Sequence, residues 1–472
     1  MAQRSEPTPT TRDDVGRFGA RVERDTRGGE ARVVLLAGAY FFLILLGYYM
    51  LRPVREAMGI ARGWDTLPWL MTGTMAVMAL ANPVYHWLVS RLPRRRFVPA
   101  AHHFFAFNIL VFYVLFRVMQ PEQRVGLGYA FYIWLSVFNL FVTSIFWSVM
   151  ADLFAHGRAK RVFGLIAVGG TLGAMGGAAI TKMLTTGAEL ESPTIMLMAV
   201  VPLELAMACF VLLAKRLPGG DRGREGASKH DSPSKHGESW HPTQGEASAE
   251  AHDEGHEPSR DALAGFKLVM RSWYLALVAT YMFLFAVTST FLYLEQGKII
   301  EKSFATADER IAAFATIDLW TNIVTLVTQL FVTRMILTRL GVSAALAMLP
   351  AVTVGGFGVL WAHPALSSVM VFSVARRGLH YAIDRPAREV LFTILGPDAK
   401  YKTKAFIDTF IYRAGDLIGG WAPLGLAKMT IGSSPVALGL GALWLIVAVV
   451  VGRAHWNEVR KLDAQPRSPM GV

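Results

Sequence analysis

The chain has 472 residues, 53% of them hydrophobic and only 17% charged, with a mean hydropathy of +0.37. A soluble globular surface needs roughly a quarter charged residues, and apolar stretches of ~20 residues, long enough to cross a bilayer, recur from Ala31 to Val451. This excludes a string of soluble domains, and because Cys209 is the only cysteine it excludes a disulfide scaffold as well. The net charge of +12 does not mark a nucleic-acid binder, since Lys and Arg gather in short connectors and no basic domain could hold DNA or RNA.

In chain order, residues 1–30 are polar and carry no apolar core before a small-residue cleavage site. They are expected to be a disordered cytoplasmic segment, not a cleaved export signal. Apolar length then marks about twelve spanning helices. Their cores lie near 33–50, 67–89, 97–118, 127–153, 162–184, 195–213, 274–294, 311–332, 344–361, 365–395, 405–427 and 435–451. Basic residues follow the even-numbered spans, at 91–96, 158–161, Arg334 with Arg339, 400–404 and Arg453, whereas loops such as 186–193 are poor in them. By the positive-inside rule these connectors and both termini face the cytoplasm, and the chain is a multi-pass protein of the inner membrane.

Between the sixth and seventh spans, residues 218–262 are rich in Gly, Ser, Glu and His. Such a segment buries too little to fold and reads as a disordered cytoplasmic linker. Its His230, His236, His241, His252 and His256 sit among acidic residues but follow no tetrahedral ligand spacing, so a plain solvated linker is expected, with transition-metal binding the alternative. The linker separates a first six-helix bundle, 31–217, from a second, 263–453, with a cytoplasmic tail over 454–472. The expected fold is an all-α integral membrane protein of two pseudo-symmetric bundles, the arrangement of the major facilitator fold.

Ionisable groups deep in a bilayer cost about 2.5 to 3.5 kcal/mol or more each and normally face a cavity or a partner. The tenth span is the extreme case. Arg376 and Arg377 stand ~11 residues past its start, near mid-membrane. On an α-helix Arg376, Arg377, His380, Asp384 and Arg388 fall within an arc of about 120°. The stripe reads as the wall of an aqueous cavity that attracts an anion, because Arg outnumbers carboxylate and the planar guanidinium fork matches carboxylate or phosphate. A structural ion-pair network locking helices together is the alternative.

A nine-residue pattern, Y-x-x-x-R-P-x-R-E, occurs twice: Tyr48 with Arg52-Pro53-Val54-Arg55-Glu56, and Tyr381 with Arg385-Pro386-Ala387-Arg388-Glu389. Each copy lies ~20 residues into its span, and the two spans run in opposite directions, so the copies should stand at opposite membrane faces. They are expected to form an outer and an inner gate; arginines snorkelling at helix ends are the plainer alternative. Arg413 and Asp416, three apart in the eleventh span, are expected to pair or to join the binding site. Glu204 and Asp318 are candidates for a coupling proton if burial raises their pKa. Trp134, Asn139 and Trp147 could stack against a ring in the cavity, or pack as aromatic residues in spans usually do. The run Gly169-Gly170-Thr171-Leu172-Gly173-Ala174-Met175-Gly176-Gly177 follows no strand, and its small residues suit close helix packing better than phosphate binding. No cofactor motif or nucleophile elbow stands out, so the chain is not expected to be an enzyme.

Four segments carry a family resemblance: 47–59 (GYYMLRPVREAMG), the run from Phe138 to Gly177 (FNLFVTSIFWSVMADLF…KRVFGLIAVGGTLGAMGG), 289–296 (STFLYLEQ), and the run from Arg377 to Asp416 (…DRPAREVLFTILG…KAFIDTFIYRAGD). They resemble bacterial relatives of the ATP/ADP antiporter family, within the major facilitator superfamily. The resemblance implies a twelve-helix alternating-access carrier and, in characterised members, exchange of adenine nucleotides. The connector 90–96 (SRLPRRR) departs from the common facilitator signature by lacking its Gly and Asp.

The expected function is therefore a secondary exchanger of an anionic, nucleotide-like or phosphorylated solute. It would act as a monomer in the lipid bilayer, with no cofactor and no nucleic-acid partner. Substrate charge would be read by Arg376 and Arg377, with His380, Asp384, Arg413 and Asp416 around them. A proton-coupled exporter of lipophilic or cationic compounds, using Glu204 or Asp318, is the second reading. A non-transporting scaffold or sensor acting through the His-rich linker is the third.

Overall fold

The computed structural model describes residues 12–154, 156–187, 191–215 and 258–464, and among these no strand occurs. The first half contains α1 (Arg12–Gly59), α2 (Leu67–Arg91), α3 (Arg94–Val118), α4 (Pro121–Leu153), α5 (His156–Thr186) and α6 (Ser192–Ala214). A short amphipathic helix α7 (Pro258–Arg271) leads into α8 (Trp273–Ser303), α9 (Ala307–Phe331) and α10 (Thr333–Ala362). Next, α11 joins Leu366–Leu379 to Arg385–Leu391 through a π-helical turn, His380–Asp384. In the same way α12 joins Pro397–Phe406 to Tyr412–Lys428 through the π turn Ile407–Ile411, and α13 spans Ser433–Ala464.

Among the described residues, nine helices are long and apolar enough to cross a membrane. The other three expected spans are α2, α11 and α12, the last two broken by π turns and by charges along their length. Helix α1 begins at Arg12, inside the segment expected to be disordered, because no proline interrupts the chain between there and Pro53. Helix α13 likewise runs on to Ala464, and α7 starts at Pro258, within the expected linker. The linker histidines lie outside the described residues.

The halves share one packing plan. The fifth span of each half lies against the first, α5 on α1 and α12 on α8, and the second span of each half lies against the fifth of the other, α9 on α5 and α2 on α12. Glycines make the first of these seams tight. A carbon added at Gly169 would stand 2.7 Å from the Gly38 carbonyl oxygen, and carbons at Gly173 and Gly177 would collide with the carbonyls of Phe42 and Leu46. In the second half a carbon on Gly415 would lie 2.9 Å from the Phe283 carbonyl oxygen, and one on Gly419 2.8 Å from that of Val287. Without a hydrophobic force between helices in lipid, such close backbone approach is what holds membrane helices together. The glycine run of α5 is thus a packing surface.

The apolar core of the first half does not stop at its boundary. It takes in Leu294 and Ile300 of α8 and Ile311, Phe314 and Ile317 of α9, so the halves are sealed at the end of the bundle that carries the α1–α2 and α8–α9 connections. That end is called the closed end below.

The glycine seam predicts a stability effect. Gly173→Val should wedge α1 from α5 and cost about 1–3 kcal/mol, read as a lower melting temperature in detergent. Gly164→Ala, where nothing lies within 4 Å of the added carbon, should leave that temperature unchanged.

Candidate functional site

A cavity of about 1280 Å³, its mouth included, lies between α1 of the first half and α8, α9, α11 and α12 of the second. Its wall carries Arg52, Arg376, Arg377, Arg385, Arg388 and Lys404 against Glu56, Asp318, Glu389 and Asp408, six cations to four carboxylates. The geometry falls into three layers.

At the closed end the first copy of the repeated pattern is satisfied across the halves. Asp318 of α9, 3% exposed, places Oδ1 3.2 Å from Arg52 Nη1 of α1 and 3.0 Å from Arg377 Nη1 of α11. Glu56 Oε1 lies 2.7 Å from Arg55 Nη2, and its other oxygen accepts the Tyr293 hydroxyl of α8 at 2.6 Å. That hydroxyl is 2.7 Å from the hydroxyl of Tyr132, over whose ring the Arg55 guanidinium sits at 4.6 Å. Further out, the Trp64 amide donates to Glu301 at 2.8 Å, Arg310 to the Ile60 carbonyl at 3.3 Å, and the Trp421 indole to Thr72 at 3.1 Å.

In the middle layer stands Arg376, 3% exposed. Its Nε donates to Thr353 at 3.0 Å, Nη1 to Ser289 at 2.8 Å, and Nη2 to Thr288 at 2.9 Å and to the Phe285 carbonyl at 3.4 Å. The guanidinium also faces the rings of Phe285 and Trp444, at 5.5 and 5.7 Å. Every one of these partners is neutral, and among the described residues no carboxylate lies within ion-pair distance of it. A guanidinium has five N–H donors, so this cage satisfies most of the hydrogen bonding and leaves the charge without a direct ion pair, the Asp384 carboxylate acting on it only from beyond that distance. His380 stacks on Phe285 beside it, ring centroids 4.4 Å apart.

The second copy lines the far end, and its ion pairs stay within the second half. Asp384, fully buried behind the wall, lies 3.1 Å from both Arg388 Nε and His380 Nδ1 and accepts the Tyr281 hydroxyl. Glu389 accepts Lys404 Nζ on both oxygens at 2.8 Å. On an unbroken α-helix Arg385 would stand about 180° from Arg376, facing away. The π turn His380–Asp384, closed by wider i→i+5 bonds that advance less per residue, returns it to the cavity.

Of the residues singled out from the sequence, Arg52, Glu56, Asp318, Arg376, Arg377, His380, Tyr381, Arg385, Arg388 and Glu389 line the cavity. Arg55 and Asp384 brace it from behind. Tyr48 is buried edge-on against Tyr49 in the first-half core. Arg413 and Asp416 are not brought to the wall: they lie 3.7 Å apart, and Asp416 also accepts Thr290 of α8 at 3.2 Å. Glu204 is not brought there either. It stands exposed on α6 against His103 of α3, so the burial on which a coupling role depended is missing. Trp134 and Trp147 pack into phenylalanine clusters of the first half.

The sequence reading missed Ser289, Tyr293, Lys404, Asp408 and Tyr412. Ser289 with Tyr293, and Lys404 with Asp408 and Tyr412, recur at intervals of four, which puts each set on one helical face. Residues 400–404 looked like a connector, but α12 already starts at Pro397.

Because breaking one partner of a buried ion pair costs about 3–5 kcal/mol, Asp318→Asn should loosen the closed end. In a Cys209→Ser background, a cysteine at the buried position Ala313 should react with a thiol reagent at least about tenfold faster when Asp318→Asn is present.

The comparisons with known proteins fit this architecture. Among solved structures the chain is similar to a POT family transporter in complex with 5-aminolevulinic acid, with a TM-score of 0.56 and 10% identity, over 89% of this chain and 96% of that one. It is also similar to the nucleoside transporter NupG, with a TM-score of 0.52 and 13% identity, over 90% of this chain and 99% of that one. At such identities the likeness speaks for the fold. No curated protein matches the chain. The model of the Major Facilitator Superfamily matches residues 34–381, well over half of the sequence, and the chain belongs to that superfamily of membrane transporters.

Proposed function

We propose that the protein is a secondary transporter that carries an anionic solute through the cavity between its halves, by opening the two ends in turn. The observation that carries this reading is Arg376: a buried guanidinium on the cavity wall, held by hydroxyls, a carbonyl and aromatic faces, with no carboxylate within ion-pair distance among the described residues. A charge so placed is expensive to keep dry and unpaired, and an anion entering from the cavity supplies the missing partner. The excess of cations over carboxylates on the wall favours the same sign of cargo.

The resemblance to ATP/ADP antiporter relatives narrows the class. Three of the four segments that carry it contribute cavity residues: Arg52 and Glu56 from the first, Ser289, Leu292, Tyr293 and Gln296 from the third, and residues between Arg377 and Tyr412 from the fourth. A phosphorylated or nucleotide-like solute moved by exchange is the finer reading. In it the two copies of the pattern serve as gates, the first closed in this structure. With basic connectors in the cytoplasm, the closed end faces outward and the cavity is reached from inside the cell.

Purified protein should gain thermal stability from phosphate-bearing or carboxylate-bearing anions and none from organic cations of similar size. Arg376→Gln should weaken anion binding at least about thirtyfold, the loss expected when one partner of a desolvated charge pair is removed. Arg376→Lys should recover only part of it, because an ammonium lacks the planar fork. Stabilisation by a cation alone, with Arg376→Gln unchanged from wild type, would overturn the assignment. Uptake of labelled anions into proteoliposomes should require the same guanidinium and should accelerate when unlabelled anion is loaded inside.

A further inference from the structure

One ionisable pair stands outside the cavity, where lipid should be. His103 of α3 and Glu204 of α6 meet at 3.4 Å, Nδ1 to Oε1, on the outer surface of the first half, with side chains 61% and 44% exposed. Neither is near a helix end. At 1.5 Å per residue His103 lies about 13 Å along α3 from Arg94, and Glu204 about 16 Å along α6 from Lys215. The surface around them is apolar: Phe104, Phe107, Val201 and Leu205 are each more than half exposed. Ionisable side chains at that depth normally face a cavity or a partner, and this pair is turned away from the cavity. Their mutual contact uses one atom of each group. His103 Nε2 and Glu204 Oε2 take no further hydrogen bond among the described residues.

We infer that this α3–α6 face binds a second copy of the chain across a two-fold axis. A two-fold interface is self-complementary, residue i meeting j and j meeting i, and the leftover atoms match that rule. His103 Nε2 of one protomer meets Glu204 of the partner subunit, and Glu204 Oε2 meets His103 of the partner subunit. Two contacts within protomers and two between them close a ring of four side chains. The ring closes in either protonation state. An imidazolium donates from both nitrogens to two carboxylates, while a neutral imidazole accepts from one carboxylic acid and donates to the other. The exposed phenylalanines and aliphatic side chains pack around it and keep it from lipid. This inference is independent of the cargo proposed above and replaces the monomer expected from the sequence.

The test uses the full chain, singly labelled and reconstituted in liposomes over a range of protein-to-lipid ratios, with the dimer fraction counted by single-molecule photobleaching. Wild type should pass from monomer to dimer as its density rises. His103→Leu and Glu204→Leu should each weaken dimerisation about tenfold, two interhelical pairs being lost together. Each variant keeps the group the other lacks, so an equal mixture should form heterodimers in preference to either homodimer. A pair that works only inside one protomer gives no such preference. Both variants exchange a polar surface group for one that lipid accepts, and monodisperse gel filtration reports that they fold. A wild type that stays monomeric at every density, single variants that dimerise like wild type, or random pairing in the mixture would each overturn the proposal.

Discussion

Asp318 holds two guanidinium groups that belong to different halves of the bundle. Arg52 comes from α1 and Arg377 from α11, and one oxygen of the carboxylate faces both. Without it, a buried and a half-buried cation would stand side by side in a medium that screens them poorly. Buried ion pairs add little net stability over apolar residues of the same size, because desolvation consumes most of the Coulombic gain. Their value lies in what happens when one member is drawn away. If an anion takes Arg377, Asp318 is left to Arg52 alone, and the seal between α1 and α9 is rebalanced without any apolar contact being broken first.

The repeated pattern shows how one string of residues can be satisfied in two ways. In the first copy the carboxylate at the end, Glu56, is reached by Tyr293 of the other half, and Arg52 by Asp318 of the other half. In the second copy Glu389 is reached by Lys404, and Arg388 by Asp384, all from the same half. The closed end is therefore held by bonds across the halves, whereas the far copy is parked on its own side. On the proposed reading, rocking exchanges these arrangements, so the charges of the two copies keep partners throughout.

Much of this architecture was legible in the sequence because it rests on local periods. Span lengths, the six-plus-six division, the close-packing glycines of α5 and the arginine stripe of α11 each depend on what one helix must do with its own faces. What escaped depends on more than one helix. Nothing in the local pattern says that Asp318 bridges two spans, or that the charge of Glu204 faces outward while that of Asp318 faces in. The π turns escaped for a related reason. A hydrophobic period of 3.6 assumes a regular helix, and the wide turn in α11 is what brings Arg385 round to the cavity. Such turns cluster at functional sites, and here two of them border the charged cavity.

Arg376 and Arg377 are neighbours in sequence with opposite kinds of surroundings, and the difference assigns them different work. Arg377 has a charged partner, so its free energy changes sharply when that partner moves, and on the proposed reading it belongs to the switching network. Arg376 is fixed by four hydrogen bonds to neutral groups and two aromatic faces, which position it without cancelling its field. In a low-dielectric wall that field extends into the cavity. On the proposed reading, a solute anion would meet one guanidinium preorganised to receive it and a second that must release a carboxylate first. On that reading, binding at the fixed charge would cost little reorganisation, and approach to the paired charge would loosen the seal between the halves, linking occupancy of the cavity to movement of the gate through a single residue step along α11.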